Sequence, residues 1–265
     1  MSERAWQRLE EWSRDLPSVG VFTDIDGTLA PIVPTPDMSE VPEKLRSTLS
    51  ILADRCAIVA GVSGRTARDA YDLLRLDGMV YFGNHGFELL RDGAIWVIPE
   101  ARPYRETVEH LERRCREELG PLGAFVESKG ITASIHYRNV PPEVGERCRE
   151  FVTREGERLG LRITVGRGVV EARPPVSADK GTAVRRLVEE YRPKRALFAG
   201  DDTTDLDAFR ELRRLRDTGA LKEALIVGVE SEEGPPEIVR EADLVVDGVE
   251  GVGSVLRLLA RGAAS

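Results

Sequence analysis

Val19-Gly20-Val21-Phe22-Thr23-Asp24-Ile25-Asp26-Gly27-Thr28 reads as a buried strand running into two carboxylates and a glycine turn. Charge at the end of an apolar run is costly to desolvate unless a partner compensates it. A second stretch repeats the pattern: Leu197-Phe198-Ala199-Gly200 leads into Asp201-Asp202-Thr203-Thr204-Asp205. Two acidic strand ends in one chain of alternating strands and helices point to a single site at the carboxyl edge of a parallel sheet. Oxygen donors of this kind suit a hard divalent cation, and Mg²⁺ is the expected cofactor.

Outward from the first motif the chain alternates. An amphipathic helix over residues 6–15, with Trp6, Leu9 and Trp12 on one side, precedes the strand Val19–Asp24. Prolines 31, 34, 36 and 42 mark a loop. A helix at 43–54, a strand at 56–60, Ser63-Gly64-Arg65, a helix to Leu74 and a strand at 80–83 follow. After residue 98 the rhythm changes to helix-strand-strand, twice. Helices are expected at 103–119 and 141–159. The strand pairs 124–128/131–137 and 161–165/169–173 turn at Lys129-Gly130 and Gly166-Arg167-Gly168. Alternation then resumes: a helix at 179–191, a strand at 196–200, a helix at 205–216, strands at 224–229 and 243–246, and a helix from Gly251. The fold class is α/β: a doubly wound parallel-sheet core formed by 1–99 and 175–265, with an α+β insertion at 100–174 between proline-marked boundaries.

The 265 residues carry a net charge of −8, which argues against nucleic acid as the partner. Of the basic residues only Lys44, Lys129, Lys180, Lys194 and Lys222 are lysine. Cys56, Cys115 and Cys148 match no zinc spacing and read as reduced thiols of a cytoplasmic protein. Neither a signal core nor a membrane-length apolar run is visible, so no membrane partner is expected.

Phosphoryl transfer to an aspartate needs a carboxylate nucleophile, a cation, donors for the non-bridging oxygens, and an acid for the leaving alkoxide. Asp24 and Asp26 supply carboxylates, and Gly27 permits the turn. Thr28 and Ser63 offer hydroxyls, Lys180 opens a helix, and Asp201 with Asp202 or Asp205 completes a metal site. Each residue also has a plainer role. Ser63 could cap a helix, and Asp202 and Asp205 could be first-turn helix charges. His85 could be scaffold as readily as substrate contact, and the strand face of Ser134, His136 and Arg138 could be solvated or sugar-binding.

Taken in order, Asp24-Ile-Asp26-Gly-Thr28-Leu, Ser63-Gly64-Arg65, Lys180-Gly181 and Gly200-Asp201-Asp202-Thr203-Thr204-Asp205 resemble the four motifs of the haloacid dehalogenase (HAD) superfamily. Gly83-Asn84-His85-Gly86-Phe87-Glu88, Glu127-Ser-Lys129, His136-Tyr137-Arg138 and Glu171-Ala-Arg173-Pro174-Pro175 narrow the resemblance to the trehalose-6-phosphate phosphatases. That resemblance implies Asp24 as nucleophile through an aspartyl-phosphate and Asp26 as general acid and base. It implies Mg²⁺ held by the Asp24 carboxylate, the Asp26 carbonyl and Asp201, with Asp202 or Asp205. Thr28, Ser63, Gly64 and Lys180 would bind the phosphoryl group. Arg65, Asn84, His85, Glu127, Lys129, Arg138 and Glu171 would contact a sugar phosphate, and the insertion would act as a mobile cap. A separate trehalose-6-phosphate synthase is the implied functional partner. One departure is Leu206, where the family often has glutamate. A phosphatase for another sugar phosphate, such as sucrose phosphate or glucosyl- or mannosyl-glycerate phosphate, fits the same core. A phosphomutase and a non-catalytic sugar-phosphate sensor are further alternatives, though a sensor has no need of Asp26.

Overall fold

A computed structural model of the protein describes residues 2–33, 38–166, 168–231 and 234–264. Pro34, Pro36 and Arg167, named above in loop and turn expectations, lie outside the described residues. The chain divides into two units, one of Met1–Trp96 with Ala178–Ser265 and one of Val97–Ser177. The second is a few residues wider on either side than the 100–174 expected.

The first unit is built on β1 (Val19–Thr23), β2 (Ile58–Val62), β3 (Val80–Gly83), β4 (Glu88–Arg91) and β5 (Ala94–Val97). It also holds β10 (Arg195–Gly200), β11 (Glu223–Glu230) and β12 (Leu244–Asp247). Their order across the sheet is β12-β11-β10-β1-β2-β3-β4-β5. Every neighbouring pair from β12 to β3 is parallel, and β4 adds antiparallel to β3. The sheet is α/β and doubly wound as expected, with a hairpin at one edge that the sequence analysis did not anticipate. Asp92 and Gly93 join β4 to β5, both at positive φ (52° and 75°), the backbone of a two-residue hairpin turn.

The central strands are buried on both faces, which explains their continuous apolar runs. In β1, β10 and β11, Val21, Leu197, Ala199, Leu225 and Val227 pack on one side; Phe22, Phe198 and Ile226 pack on the other. The first side is covered by α1 (Ser2–Ser13), α2 (Glu43–Arg55), α3 (Ala67–Leu74) and α9 (Gly248–Ala260). The second is covered by α6 (Lys180–Tyr191), α7 (Asp205–Asp217) and the short α8 (Pro236–Glu241), which was not expected. Phe198 meets Phe209 of α7 edge-on, with centroids 6.0 Å apart. Burying each such ring contributes about 1.5–3 kcal/mol.

Two boundaries moved for local reasons. The strand expected at 56–60 is β2 at Ile58–Val62, because Cys56 still donates its N–H to Leu52 O and closes α2. The final helix starts at Gly248 rather than Gly251.

The second unit contains α4 (Arg105–Glu118), β6 (Phe125–Ser128), β7 (Ala133–His136), α5 (Pro142–Arg158), β8 (Arg162–Gly166) and β9 (Val169–Arg173). Its antiparallel sheet has the order β6-β7-β9-β8. Val108, Leu111 and Cys115 of α4 and Cys148 and Val152 of α5 bury the face formed by Ala133, Ile135, Val170 and Ala172. The alternate face carries Glu127, Ser134, Glu171 and Thr164 directly across from one another. Among the described residues no helix is long and apolar enough to cross a membrane.

Candidate active site

The chain leaves β1 toward β2 and β3 on one side and returns as β10 on the other. The carboxyl ends of β1 and β10 therefore border the crevice where strand order reverses, the usual ligand position in open α/β sheets. The parallel register pairs Thr23 with Ala199, and Asp24 N–H donates to Ala199 O at 2.8 Å. That pairing brings the two acidic strand ends together.

Asp24, Asp201 and Asp205 are all buried, and each offers a carboxylate oxygen within 4.8 Å of the others. Lys180, only 2% exposed, places Nζ 2.8 Å from Asp24 Oδ2 and 2.7 Å from Asp205 Oδ1. The other Asp24 oxygen accepts the Ile25 N–H at 2.7 Å. Asp205 Oδ2 accepts the N–H groups of Asp201 and Asp202, both at 3.0 Å, so the turn from β10 into α7 folds around the helix's first carboxylate. Asp202 is exposed and stands outside this cluster. Between the two candidates left open above, Asp205 is the one placed with Asp24 and Asp201.

The electrostatics follow from three acids sharing one base. Burial, then the Asp205 carboxylate, pushes Asp24 well above the ordinary carboxylate range against the pull of Lys180. Burial and Asp205 likewise push Asp201 up to about 7. Burial alone would lower Lys180, but Asp205 and Asp24 outweigh it and raise it. The ammonium stays charged, and the carboxylates exceed it in number. An all-oxygen donor set with surplus buried negative charge fits a hard divalent cation.

Gly27 sits at φ +83°, and a Cβ there would lie 2.0 Å from Asp201 Oδ2, so the turn after Asp26 admits only glycine. The Thr28 hydroxyl donates to Asp201 Oδ1 at 2.8 Å and is fully buried.

Asp26 is half exposed, and its carboxylate is gripped by Arg65, with Nε to Oδ2 and Nη2 to Oδ1 both at 2.7 Å. This guanidinium, assigned above to substrate, holds the carboxylate assigned to acid and base chemistry. Ser63 Oγ accepts the Arg65 N–H at 3.1 Å, and Ser63 N–H donates to Phe82 O. Ser63 does not cap α3; Thr66 does, accepting the Asp69 N–H at 3.0 Å.

Asn84, His85 and Gly86 follow β3 with φ of 50°, 56° and 105°. Two consecutive non-glycine residues in the left-handed region are strained, and the surroundings hold them there. Asn84 N–H donates to Arg65 O at 2.6 Å, and His85 N–H to Ser63 O at 2.9 Å. The His85 ring lies against Gly64, where a Cβ would come within 2.7 Å of Cε1. A Cβ on Gly86 would come as close to Asp179 O. The Asp179 side chain caps α6 by accepting the Thr182 N–H at 2.7 Å and so places Lys180. Asn84 is fully buried, and its backbone N–H ties this loop to Arg65. No sequence signal marked the strain; only the placement of Asn-His-Gly directly after a strand hinted at it.

The second unit gathers three other assigned residues. Lys129 Nζ lies 3.8 Å from Glu127 Oε2 and 4.0 Å from Glu171 Oε1. His136 Nε2 is 2.8 Å from Glu127 Oε2, a partner the sequence analysis did not assign. Burial opposes the ionisation of Glu127, but the His136 hydrogen bond and the Lys129 charge outweigh it and hold its carboxyl below the usual range. Arg173 reaches Thr164 Oγ1 at 2.8 Å and lies 3.4 Å from Glu171. Arg138 follows β7, with its Cβ against Gly168.

A family model described as Trehalose-phosphatase matches residues 22–236. The chain is 38% identical over 202 residues to the trehalose-phosphate phosphatase of Mycobacterium marinum, covering 73% of this chain and 51% of the relative. The chain thus spans about half the length of the curated relatives it matches. Among solved structures, a trehalose-6-phosphate phosphatase related protein aligns with a TM-score of 0.76 at 23% identity, over 91% of this chain and 97% of that one. The C-terminal domain of C. albicans trehalose-6-phosphate phosphatase aligns at 0.74 and 22% identity, over 97% and 96%. At those identities the two structures establish the fold.

Proposed function

This chain belongs to the trehalose-phosphatase family, and from that premise we propose that it is a Mg²⁺-dependent phosphatase hydrolysing trehalose 6-phosphate to trehalose and phosphate. The observation that carries the proposal is the buried group of Asp24, Asp201, Asp205 and Lys180 at the switch crevice. Such a group is costly to maintain unless charge is handled there.

Asp24 attacks phosphorus and forms an aspartyl-phosphate, with Lys180 holding both its carboxylate and the incoming phosphoryl oxygens. The Ser63 hydroxyl, which already accepts from the Arg65 amide, donates its proton to a non-bridging oxygen, and the backbone at Gly64 supports the same group. Asp26 gives a proton to the leaving sugar alkoxide; it then takes one from the water that hydrolyses the intermediate. Asp24, Asp201, Asp205 and the Asp26 carbonyl would hold Mg²⁺, which would supply charge neutralisation for the phosphate. Glu127, Lys129 and Glu171 recognise sugar hydroxyls. A separate trehalose-6-phosphate synthase supplies the substrate.

The test is phosphate release from trehalose 6-phosphate with Mg²⁺, run beside glucose 6-phosphate, sucrose 6-phosphate and mannosyl-phosphoglycerate. The expected result is a strong preference for trehalose 6-phosphate. Asp24→Asn should lose at least about a thousandfold in kcat, the scale on which removing a nucleophile acts. Preference for another ester would replace the substrate and keep the chemistry. Near-normal turnover by Asp24→Asn would overturn the covalent mechanism.

A further inference from the structure

Phe125 is 64% exposed on β6, an unusual place for a large ring in a sheet whose other face carries the unit's core. Strand register puts it directly across from His136, and two residues from Glu127 on the same face. The two rings pair at 5.9 Å between centroids, tilted by 33°. His136 in turn holds Glu127 at 2.8 Å. Val169 lies across from His136 on its other side, and the next row of that face, Ser134, Glu171 and Thr164, is polar.

The geometry points to Phe125 and His136 as a stacking platform for a pyranose ring, making Phe125 a specificity-determining residue of the sugar-binding face. The inference rests on the reading of the substrate as a sugar phosphate. A pyranose presents an apolar C–H face and an edge of hydroxyls. An aromatic ring beside ordered carboxylates and an ammonium matches both at once. A protein partner is the poorer fit, because Phe125 and the half-buried Val169 across from His136 are bordered by charged and hydroxyl side chains and form no broad apolar patch. His136 serves twice, extending the platform and fixing the orientation of Glu127.

The test compares wild type, Phe125→Ala, Phe125→Leu and Phe125→Trp on trehalose 6-phosphate and on p-nitrophenyl phosphate, which has no sugar. Trehalose binding to the Asp24→Asn background, measured by calorimetry, gives a readout without turnover. Phe125→Ala should raise KM for the sugar ester about tenfold more than for the aryl ester and weaken trehalose binding by a similar factor. Phe125→Trp should retain affinity, and Phe125→Leu should resemble Phe125→Ala, because bulk without a ring does not stack. Equal losses on both esters, or unchanged trehalose binding in Phe125→Ala, would overturn the platform while leaving the phosphatase intact. A wild type with no preference for any sugar ester over the aryl ester would instead remove the sugar-phosphate reading, and the platform with it.

Discussion

Each unit holds a lysine between two carboxylates, and the two arrangements differ in burial and reach. Lys180 is 2% exposed and touches Asp24 and Asp205 at 2.8 and 2.7 Å. Lys129 is 12% exposed and stands 3.8 and 4.0 Å from Glu127 and Glu171. The first is closed by parallel strand ends and a capped helix, and its members already satisfy one another. The second lies on an antiparallel sheet face, its charges farther apart and more exposed. Tight, dry ion groups suit chemistry that needs fixed charge. Looser, partly exposed ones suit recognition, where a ligand can reach the charged groups from solvent.

Substitution at the two lysines is the sharpest way to break that contrast. Lys180→Met should cost about 3–5 kcal/mol of stability, because it strands buried carboxylates without their cation. Urea unfolding of the metal-free protein reads this. A change under about 1 kcal/mol would mean the cluster is far better hydrated than its burial implies.

A smaller effect concerns pH. Asp24 and Asp201 have folded values raised above the ordinary 3.8, Asp201 to about 7. The folded state therefore binds protons more tightly than the unfolded chain. The resulting stability is fully present below 3.8 and is lost as pH rises through about 7. In chelator, the melting temperature should fall between about pH 5 and about pH 8, and added Mg²⁺ should restore most of the loss at the upper end. A melting temperature that Mg²⁺ leaves untouched at the higher pH would remove the cation from this cluster.

The smallest expected effect is at the other lysine. Lys129→Met and Glu171→Gln should each change stability by less than about 1 kcal/mol, as partly exposed pairs do. The same substitutions should raise KM for the sugar ester well beyond that for the aryl ester. A stability loss as large as that of Lys180→Met would erase the distinction between the two groups.

How much of this was legible beforehand depended on whether the signal was local. Strand periodicity and the acidic strand ends placed β1, β10 and the helices between them to within a residue or two, because apolar runs and caps act over one turn or one strand. The edge hairpin escaped notice although Asp92-Gly93 is a turn signal, since Glu88–Arg91 is too short to alternate clearly. Ser63 was a plausible helix cap, but Thr66 caps α3. Motif position assigns Arg65, Thr28 and Asn84 to substrate or phosphate. Their partners, Asp26, Asp201 and the Arg65 carbonyl, became visible only when strands distant in sequence were paired.

From the sequence by itself came the α/β class, the presence of an α+β insertion, and the residue types able to carry a carboxylate-and-cation chemistry, since each is written in composition and short-range pattern. The tertiary structure alone decided that Asp205 rather than Asp202 joins Asp24 and Asp201, that Arg65 holds Asp26, and that Phe125 stands beside His136 and Glu127. Those contacts depend on strand register and on the geometry of the turn that leads into a helix. A one-residue slip in register would turn each strand's side chains to the opposite face while leaving its composition unchanged.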